Sequence, residues 1–263
     1  MSRIPIVPEK STAAGSPGTA PELSIIIPAY NEEARILPTL QAIVAFVHAS
    51  RIPAEVLVVD DGSSDGTSRR VEDMARSTPL LRLVRNPGNR GKGYSIRHGF
   101  IESRGRRVLL TDADLSTPIE EIHKLLPYLV DQGYGGAIGS RAVDQSTVEV
   151  PQGWLRRTMG KTFNRLVRTL TGLPFGDTQC GFKLLDREAF VPIFRVARVD
   201  RFAYDVEILM LAGKRGIGVA EVPVIWRNSP QSKVRFAQDS LQMLGDTLRI
   251  VFWKWTGGYR ESP

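Results

Sequence analysis

Four apolar runs, each closed by a cluster of polar residues, constrain this chain more than any other feature. Leu23-Ser24-Ile25-Ile26-Ile27-Pro28 leads into Ala29-Tyr30-Asn31-Glu32-Glu33, and Glu55-Val56-Leu57-Val58-Val59-Asp60 leads into Asp61-Gly62-Ser63-Ser64-Asp65-Gly66-Thr67. Leu80 to Arg85 and Arg107 to Thr111 are the third and fourth runs. The first, apolar but for Ser24, suits a strand buried on both faces, which a helix-covered parallel sheet provides. Segments of helical period separate them, predicted at 32–50, 65–77, 93–103 and 118–132. In the first of these, Ile36, Leu40, Ile43, Val44 and Val47 share one stripe. Strand and helix alternating at this spacing predict an α/β fold with a mainly parallel central sheet flanked by helices.

Past Gly139 the alternation stops. Helices are predicted at 154–170, 186–195 and 204–214, and a strand at 218–226. Leu241, Leu244, Leu248, Val251 and Trp255 share one face of a final helix. Residues 1–20, rich in Ser, Pro, Gly, Ala and Thr, are expected to be a disordered tail before a single domain at 21–263. Within it, 21–140 reads as a nucleotide-binding half and 141–263 as an acceptor-side half with amphipathic helices. No run approaches the about 20 apolar residues of a membrane span, and the first 20 residues hold no apolar signal core. The expected location is therefore the cytoplasm, free or at a membrane surface. One cysteine excludes a disulfide scaffold or a cysteine zinc cluster. Lys and Arg outnumber Asp and Glu by 35 to 28, and the net charge of +7 suits an anionic partner.

Ligands of parallel sheets bind beyond the carboxyl ends of the strands, where the polar clusters fall. Two nucleotide motifs are excluded by spacing. The first strand does not run into G-x-G-x-x-G, and a phosphate loop ending at Gly91-Lys92 would need glycine at Asn86 and Ser or Thr at Gly93. Asp112 and Asp114 carry the most chemistry. Two carboxylates on alternate residues are costly to hold together without a cation. Mg²⁺ or Mn²⁺ takes one or two carboxylates and completes its octahedron with phosphate oxygens and water. Beside Gly91-Lys92-Gly93, the pair reads as a site for a metal-bound diphosphate.

Together, Pro28-Ala29-Tyr30-Asn31-Glu32, Asp60 to Thr67, Gly91-Lys92-Gly93, Asp112-Ala113-Asp114, Gly139-Ser140-Arg141, Asp177-Thr178-Gln179-Cys180-Gly181-Phe182-Lys183, Asp205-Val206-Glu207 and Ser232-Lys233 resemble the family 2 glycosyltransferases. The segment 177–183 is most similar to the dolichyl-phosphate β-glucosyltransferase and related polyprenyl-phosphate branch. The resemblance implies a GT-A-type nucleotide-diphospho-sugar transferase fold. It also implies an inverting transfer of a hexose, glucose from UDP-glucose first, onto a polyprenyl phosphate. GDP-mannose is the alternative donor, and a non-catalytic nucleotide-sugar-binding or nucleic-acid-binding module is the reading from another class. Nucleic acid fits poorly, since the acidic clusters would repel phosphates.

The resemblance also assigns roles. Pro28, Ala29, Tyr30 and Asp61 would line the uracil pocket, and Glu32 would hold the ribose side. Gly91, Lys92, Ala113 and Arg141 would surround the donor phosphates, Asp112 and Asp114 would hold the metal, and Asp114 and Asp177 would stand at the reacting centre. A phosphate monoester has a second pKa near 6, so the acceptor needs little general-base help and Asp177 is expected to orient more than to deprotonate. Cys180 is expected to be a small buried hydrophobe. Asp205 and Glu207 would diverge by about 200° on a helix, with Asp205 salt-bridged, solvated or turned to the site. For the acceptor, Arg157, Lys161, Arg165 and Arg168 lie opposite a stripe of Met159, Phe163, Leu166 and Leu170. That basic face, with Lys233, Trp253 and Trp255, would dock on an anionic membrane surface at about 1 kcal/mol per basic residue.

Overall fold

The computed structural model describes residues 20–143, 146–148, 164–227 and 236–259. Its first half is the predicted alternation. Strands β1 (Leu23–Ala29), β2 (Ala54–Asp60), β3 (Leu81–Arg85) and β4 (Arg107–Leu110) are parallel, joined by helices α1 (Ile36–Ser50), α2 (Thr67–Ala75) and α3 (Lys92–Glu102). Helix α1 starts four residues later than its apolar period suggests. Glu32 to Arg35 form a turn closed by the Arg35 and Ile36 N–H groups on the Glu32 carbonyl, at 3.0 and 2.9 Å. A 3₁₀ turn (Ile119–Glu121) likewise precedes α4 (Ile122–Val130) where one continuous helix is expected.

The second half returns to the same sheet. Strand β5 (Gly136–Ser140) is followed by β6 (Thr147–Val148), helix α5 (residues 164–171) and β7 (Lys183–Asp186). Then come α6 (Arg187–Val196), α7 (Tyr204–Lys214), β8 (Val219–Pro223), β9 (Ile225–Trp226) and α8 (Phe236–Thr256). The predicted strand at 218–226 is broken at Val224, whose N–H donates to the Ser140 carbonyl. The seven-stranded sheet runs β3-β2-β1-β4-β7-β5-β8. Strand β7 is antiparallel to both neighbours, with Leu184 opposite Leu109 and Ala137. Strands β6 and β9 form a separate two-stranded ladder.

Side chains alternate across a strand, so β1 feeds two cores. Ile26 joins Leu57, Val59, Phe100 and Phe194 on one face, while Ile25 and Ile27 join Val56, Val58, Ile36 and Leu125 on the other. Chain order reverses between β1 and β4, with β2 to one side and β4 to the other, so the sheet opens a crevice there. Proline is normally excluded from central strands because it lacks a ladder donor, and Pro28 sits where none is needed. The β1–β4 ladder ends at Ile26, and Ala29 accepts from Asp61 on the β2 side.

The amphipathic helices differ from expectation. In α5 the core-facing residues are Val167 and Thr171, whereas Leu166 is 40% exposed and Leu170 half-buried. In α8 the residues turned inward are Thr247 and Ile250, and the predicted apolar stripe faces outward. Leu241, Leu248 and Trp255 are 73%, 51% and 84% exposed, and Leu244 and Val251 are half-buried. Helix α3 is held on the second half by the stacked rings of Phe100 and Phe194, 4.0 Å apart and both buried. Phe194→Ala is expected to lower unfolding free energy by about 3–5 kcal/mol, measured as a shift of the urea midpoint at constant m-value.

Candidate active site

Two acidic loops build the floor of the crevice by binding each other. The Asn31 N–H donates to Ser63 Oγ (2.9 Å), the Ser64 N–H to Asn31 Oδ1 (2.8 Å), and the Glu32 N–H to Thr67 Oγ1 (2.8 Å). Asn31 adopts φ +54°, a left-handed conformation asparagine tolerates. Asp60 is absorbed in this turn, accepting from Ser63 and Ser68. Tyr30 is 42% exposed above it.

Asp61 is buried and faces a different partner set. Its carboxylate accepts from Asn86 Nδ2 (2.7 Å) and from the Arg90 and Gly91 N–H groups (2.9 and 2.7 Å). Asn86 in turn donates to Ser95 Oγ and faces His98 Nδ1 at 2.8 Å. A carboxylate offers about four acceptor positions; three are taken by the protein, which leaves one directed acceptor. Asn86 was not among the expected site residues, and its only signal was that it stood where a phosphate loop would need glycine.

Lys92 opens α3 and places Nζ 2.5 Å from Asp112 Oδ1. Burial alone would raise the Asp112 pKa, but Lys92, then Lys183 and Arg141, outweigh it and hold the carboxyl below the ordinary range. Asp114 accepts from the Ser116 N–H (3.0 Å) and lies 3.7 Å from the Arg35 guanidinium, which also pairs with Glu32. Arg35 is thus a further unexpected site residue, one turn beyond Glu32. It takes up the carboxylate that the resemblance assigns to a ribose. Ala113 lies between the two acids, buried, its carbonyl accepting from Thr39 Oγ1 at 2.6 Å. Below them, a Cβ on Gly181 would come within 2.2 Å of Asp112 Oδ2, so only glycine lets that carboxylate sit where it does.

Among the described residues, no group of three His, Cys, Asp or Glu could cage a metal. The Asp112 and Asp114 pair would suit only an ion that keeps water and phosphate oxygens as its remaining ligands, not an all-protein cage.

Across the crevice Arg141, just past β5, makes a forked pair with Asp177: Nε to Oδ2 at 2.6 Å and Nη2 to Oδ1 at 2.9 Å. Asp177 also accepts the Arg141 and Gln179 N–H groups, and Glu221 on β8 accepts the Gly176 and Asp177 N–H groups at 2.9 and 2.8 Å. Burial by itself would raise the Asp177 pKa; the paired Arg141 reverses this and leaves it lowered. Asp177 is therefore a fixed anion whose hydrogen-bonding capacity is spent on Arg141 and the Gln179 N–H. The guanidinium lies 5.4 Å from the Trp226 ring centroid. Beside the pair, a cavity of about 800 Å³ is lined by Ala142, Asn164, Arg165, Arg168, Thr169 and Gly176 among others.

The remaining residues separate cleanly. Asp205 is not solvated: it is buried and paired with fully buried Lys183 at 2.5 Å. Cys180 is buried, and desolvation pushes its thiol pKa up. Arg165 and Arg168 are exposed, whereas Arg157, Lys161 and Lys233, with Met159 and Phe163, lie outside the described residues. Trp253 is half-buried, packing edge-on against Tyr259 (6.0 Å) with the Arg198 guanidinium 5.7 Å away.

A parallel α/β half-sheet completed by an antiparallel strand, with paired acids and a helix-opening lysine at its switch point, defines a nucleotide-sugar transferase of GT-A type. The chain belongs to glycosyl transferase family 2, whose pattern matches residues 24–194. It is similar to the dolichyl-phosphate beta-glucosyltransferase of Dictyostelium discoideum, 36% identical over 242 residues, covering 88% of this chain and 74% of the relative. The Homo sapiens protein of that name is 36% identical over 251 residues, covering 91% and 78%. Among solved structures it is similar in fold to glucosyl-3-phosphoglycerate synthase of Mycobacterium tuberculosis, solved with Mn²⁺, UDP-glucose and phosphoglyceric acid. That likeness has TM-score 0.62 at 18% identity, covering 91% of this chain and 86% of the other.

Asp177→Asn should cost about 3 kcal/mol of stability, at the lower end for a buried pair because Arg141 is partly open. The acid dependence has a definite sign. A carboxyl with a lowered folded-state pKa stabilises the protein above its unfolded pKa and loses that contribution as pH falls through the folded value. Denaturant melts below about pH 4 should therefore fall less steeply in Asp177→Asn than in the unmodified protein.

Proposed function

We propose that the protein transfers glucose from UDP-glucose to the phosphate of a dolichyl-type polyprenyl phosphate, inverting the anomeric centre from α to β. The observation that carries this reading is the meeting of two sites at one sheet end. Asp112 follows β4 and Arg141 follows β5, two strands that run the same way on either side of antiparallel β7, so both leave the same end of the sheet. A diphosphate end and an anion-binding arm then face a common point, and the dolichyl-phosphate beta-glucosyltransferase relatives supply the substrate class.

On this reading the donor side, 21–140, supplies binding. Asp61 gives its remaining acceptor position to the uracil N–H, with Pro28, Ala29 and Tyr30 around the base and Glu32 with Arg35 at the ribose side. Gly91 lets the backbone approach the phosphates, and Lys92 neutralises charge on them. Asp112 and Asp114 would hold Mg²⁺ or Mn²⁺. The bound ion would supply electrophilic stabilisation of the leaving phosphates.

The acceptor side, 141–263, supplies the nucleophile's position. Arg141, which the resemblance set among the donor phosphates, is assigned here to the acceptor phosphate instead because it stands past β5, aimed by Asp177 and beside the cavity whose Arg165 and Arg168 give a basic approach. A phosphate oxygen bonds to the anomeric carbon as the bond from that carbon to the UDP β-phosphate breaks. The acceptor is largely dianionic near neutral pH, so no proton has to be removed and Asp177 works as a positioning group. Holding the two anions in line is the main contribution, since orientation alone lowers barriers by several kcal/mol.

Docking at a membrane surface belongs to the same proposal, because the acceptor's tail stays in lipid. No helix among the described residues is long and apolar enough to cross a membrane. Helix α8 instead presents Leu241, Leu248, Phe252 and Trp255 along one exposed stripe. Phe252, 62% exposed, takes the place expected for Trp253.

Turnover of UDP-glucose with a short polyprenyl phosphate and Mg²⁺ should fall by orders of magnitude in Asp114→Asn. An equal or faster rate with GDP-mannose would replace the glucosyl reading with the mannosyl one. In liposome co-sedimentation, Arg165→Gln with Arg168→Gln should weaken binding at low salt only, because salt screens charge. Phe252→Ser with Trp255→Ser should weaken it at every salt concentration. Salt-independent binding by the double serine variant at the unmodified level would remove α8 from the docking surface.

A further inference from the structure

Glu207 is wholly buried, yet no step of the transfer uses it. Its carboxylate accepts the Arg198 N–H, the Val199 N–H and the Tyr259 hydroxyl, each at 2.9 Å. A carboxylate so deep in the core is tolerable only when donors surround it, and these three come from two separate pieces of chain. One is the loop between α6 and α7. The other follows α8, where the Gly258 N–H donates to the Trp253 carbonyl (2.8 Å) and Tyr259 meets the Trp253 ring.

The α6–α7 loop is the seat of α3. A Cβ on Gly91 would lie 2.4 Å from the Asp200 carbonyl oxygen, and one on Gly93 would lie 2.5 Å from that of Val199. The Tyr94 N–H donates to the Asp200 carbonyl (3.0 Å), and Arg97 pairs with the Asp200 carboxylate at 2.5 Å. Lys92 stands between the two glycines. A shift of this loop therefore moves the residue that meets Asp112.

We propose that Glu207 is a positioning residue for the donor site. It fixes the 198–201 loop on which α3 is seated, and Tyr259 completes the clamp from the end of α8. The inference rests on the reading that α3 and Asp61 face the donor nucleotide. The end of α8 is thereby tied, through one carboxylate, to the start of the helix that carries Lys92. Misplacement on the ångström scale is enough to impair a positioned group.

The test is a calorimetric titration of UDP with Mg²⁺, alongside steady-state kinetics, in Tyr259→Phe and Glu207→Gln. The phenylalanine keeps the ring against Trp253 and removes only the donor. The amide keeps one acceptor oxygen and turns a donor towards groups that donate. Tyr259→Phe is expected to weaken UDP binding about three- to tenfold and to raise the donor KM in parallel, with the lipid-phosphate KM unchanged; Glu207→Gln should do more. Leu125→Ala, in α4 and remote from the clamp, should lower Tm with UDP affinity intact, which separates positioning from general destabilisation. Unmodified UDP affinity in folded Tyr259→Phe overturns the proposal, as does an equal rise in both KM values. Should Glu207→Gln not fold, Tyr259→Phe alone decides. If Asp61→Ala binds UDP normally, the donor reading fails instead.

Discussion

The ion pair of Lys92 with Asp112 is the contact on which the rest of the site depends. A carboxylate at a partly enclosed sheet end faces a desolvation cost, and a cation 2.5 Å away offsets it. Lys92 can stand there only because Gly91 and Gly93 let α3 begin against the Val199–Arg201 carbonyls. Asp112 can stand there only because Gly181 leaves the space beneath it. Behind them Lys183 with Asp205 and Arg141 with Asp177 repeat the pattern, so the site is a lattice of alternating charge. Each member is held by a neighbour of opposite sign, and removing Arg141 or Lys183 leaves the buried carboxylate of Asp177 or Asp205 uncompensated.

Much of the first half could be read from the chain alone. The apolar runs from Leu23 and Glu55 contain every β1 and β2 ladder residue but Ala29 and Ala54, and the glycines at 91 and 93 mark the start of α3. Strands β5 and β7 could not. Gly136-Ala137-Ile138-Gly139-Ser140 carries two glycines, a residue type depleted in strands. It needs small residues because Cys180 Sγ and Val224 lie 3.1–3.2 Å from where a Cβ on Gly139 would be. Lys183-Leu184-Leu185-Asp186 is short and charged at both ends, and its lysine is buried only because Asp205 meets it. Both strands are set by tertiary partners, which local periodicity does not report.

The site divides along the same line. Asp61, Lys92, Asp112, Asp114, Arg141 and Asp177 lie around one crevice; residue type with strand-end placement singled out the first four, while Arg141 and Asp177 came only from the family resemblance. Their pairing was not legible. That Asp177 spends itself on Arg141, that Asn86 orients Asp61, and that Arg35 bridges Glu32 and Asp114 are facts of three-dimensional proximity. Helical wheels found the amphipathic stripe of α8 but not its direction. A wheel gives two faces and does not say which meets the core, and Thr247 with Ile250, rather than the leucines, turn inward.

The antiparallel strand has a consequence for the order in which the chain can assemble. Strand β5 hydrogen-bonds only to β7 and β8, both of which follow it in sequence. As the polypeptide emerges from the ribosome, β1 to β4 can pair with one another, but β5 has no partner until residue 183 has been made. Such long-range pairing is slow, and an unpaired edge is exposed in the interval. The paired acids Asp112 and Asp114 are therefore in the growing chain well before Gly181, the residue beneath Asp112, has been added, so the crevice takes its final arrangement only after β7 has been made.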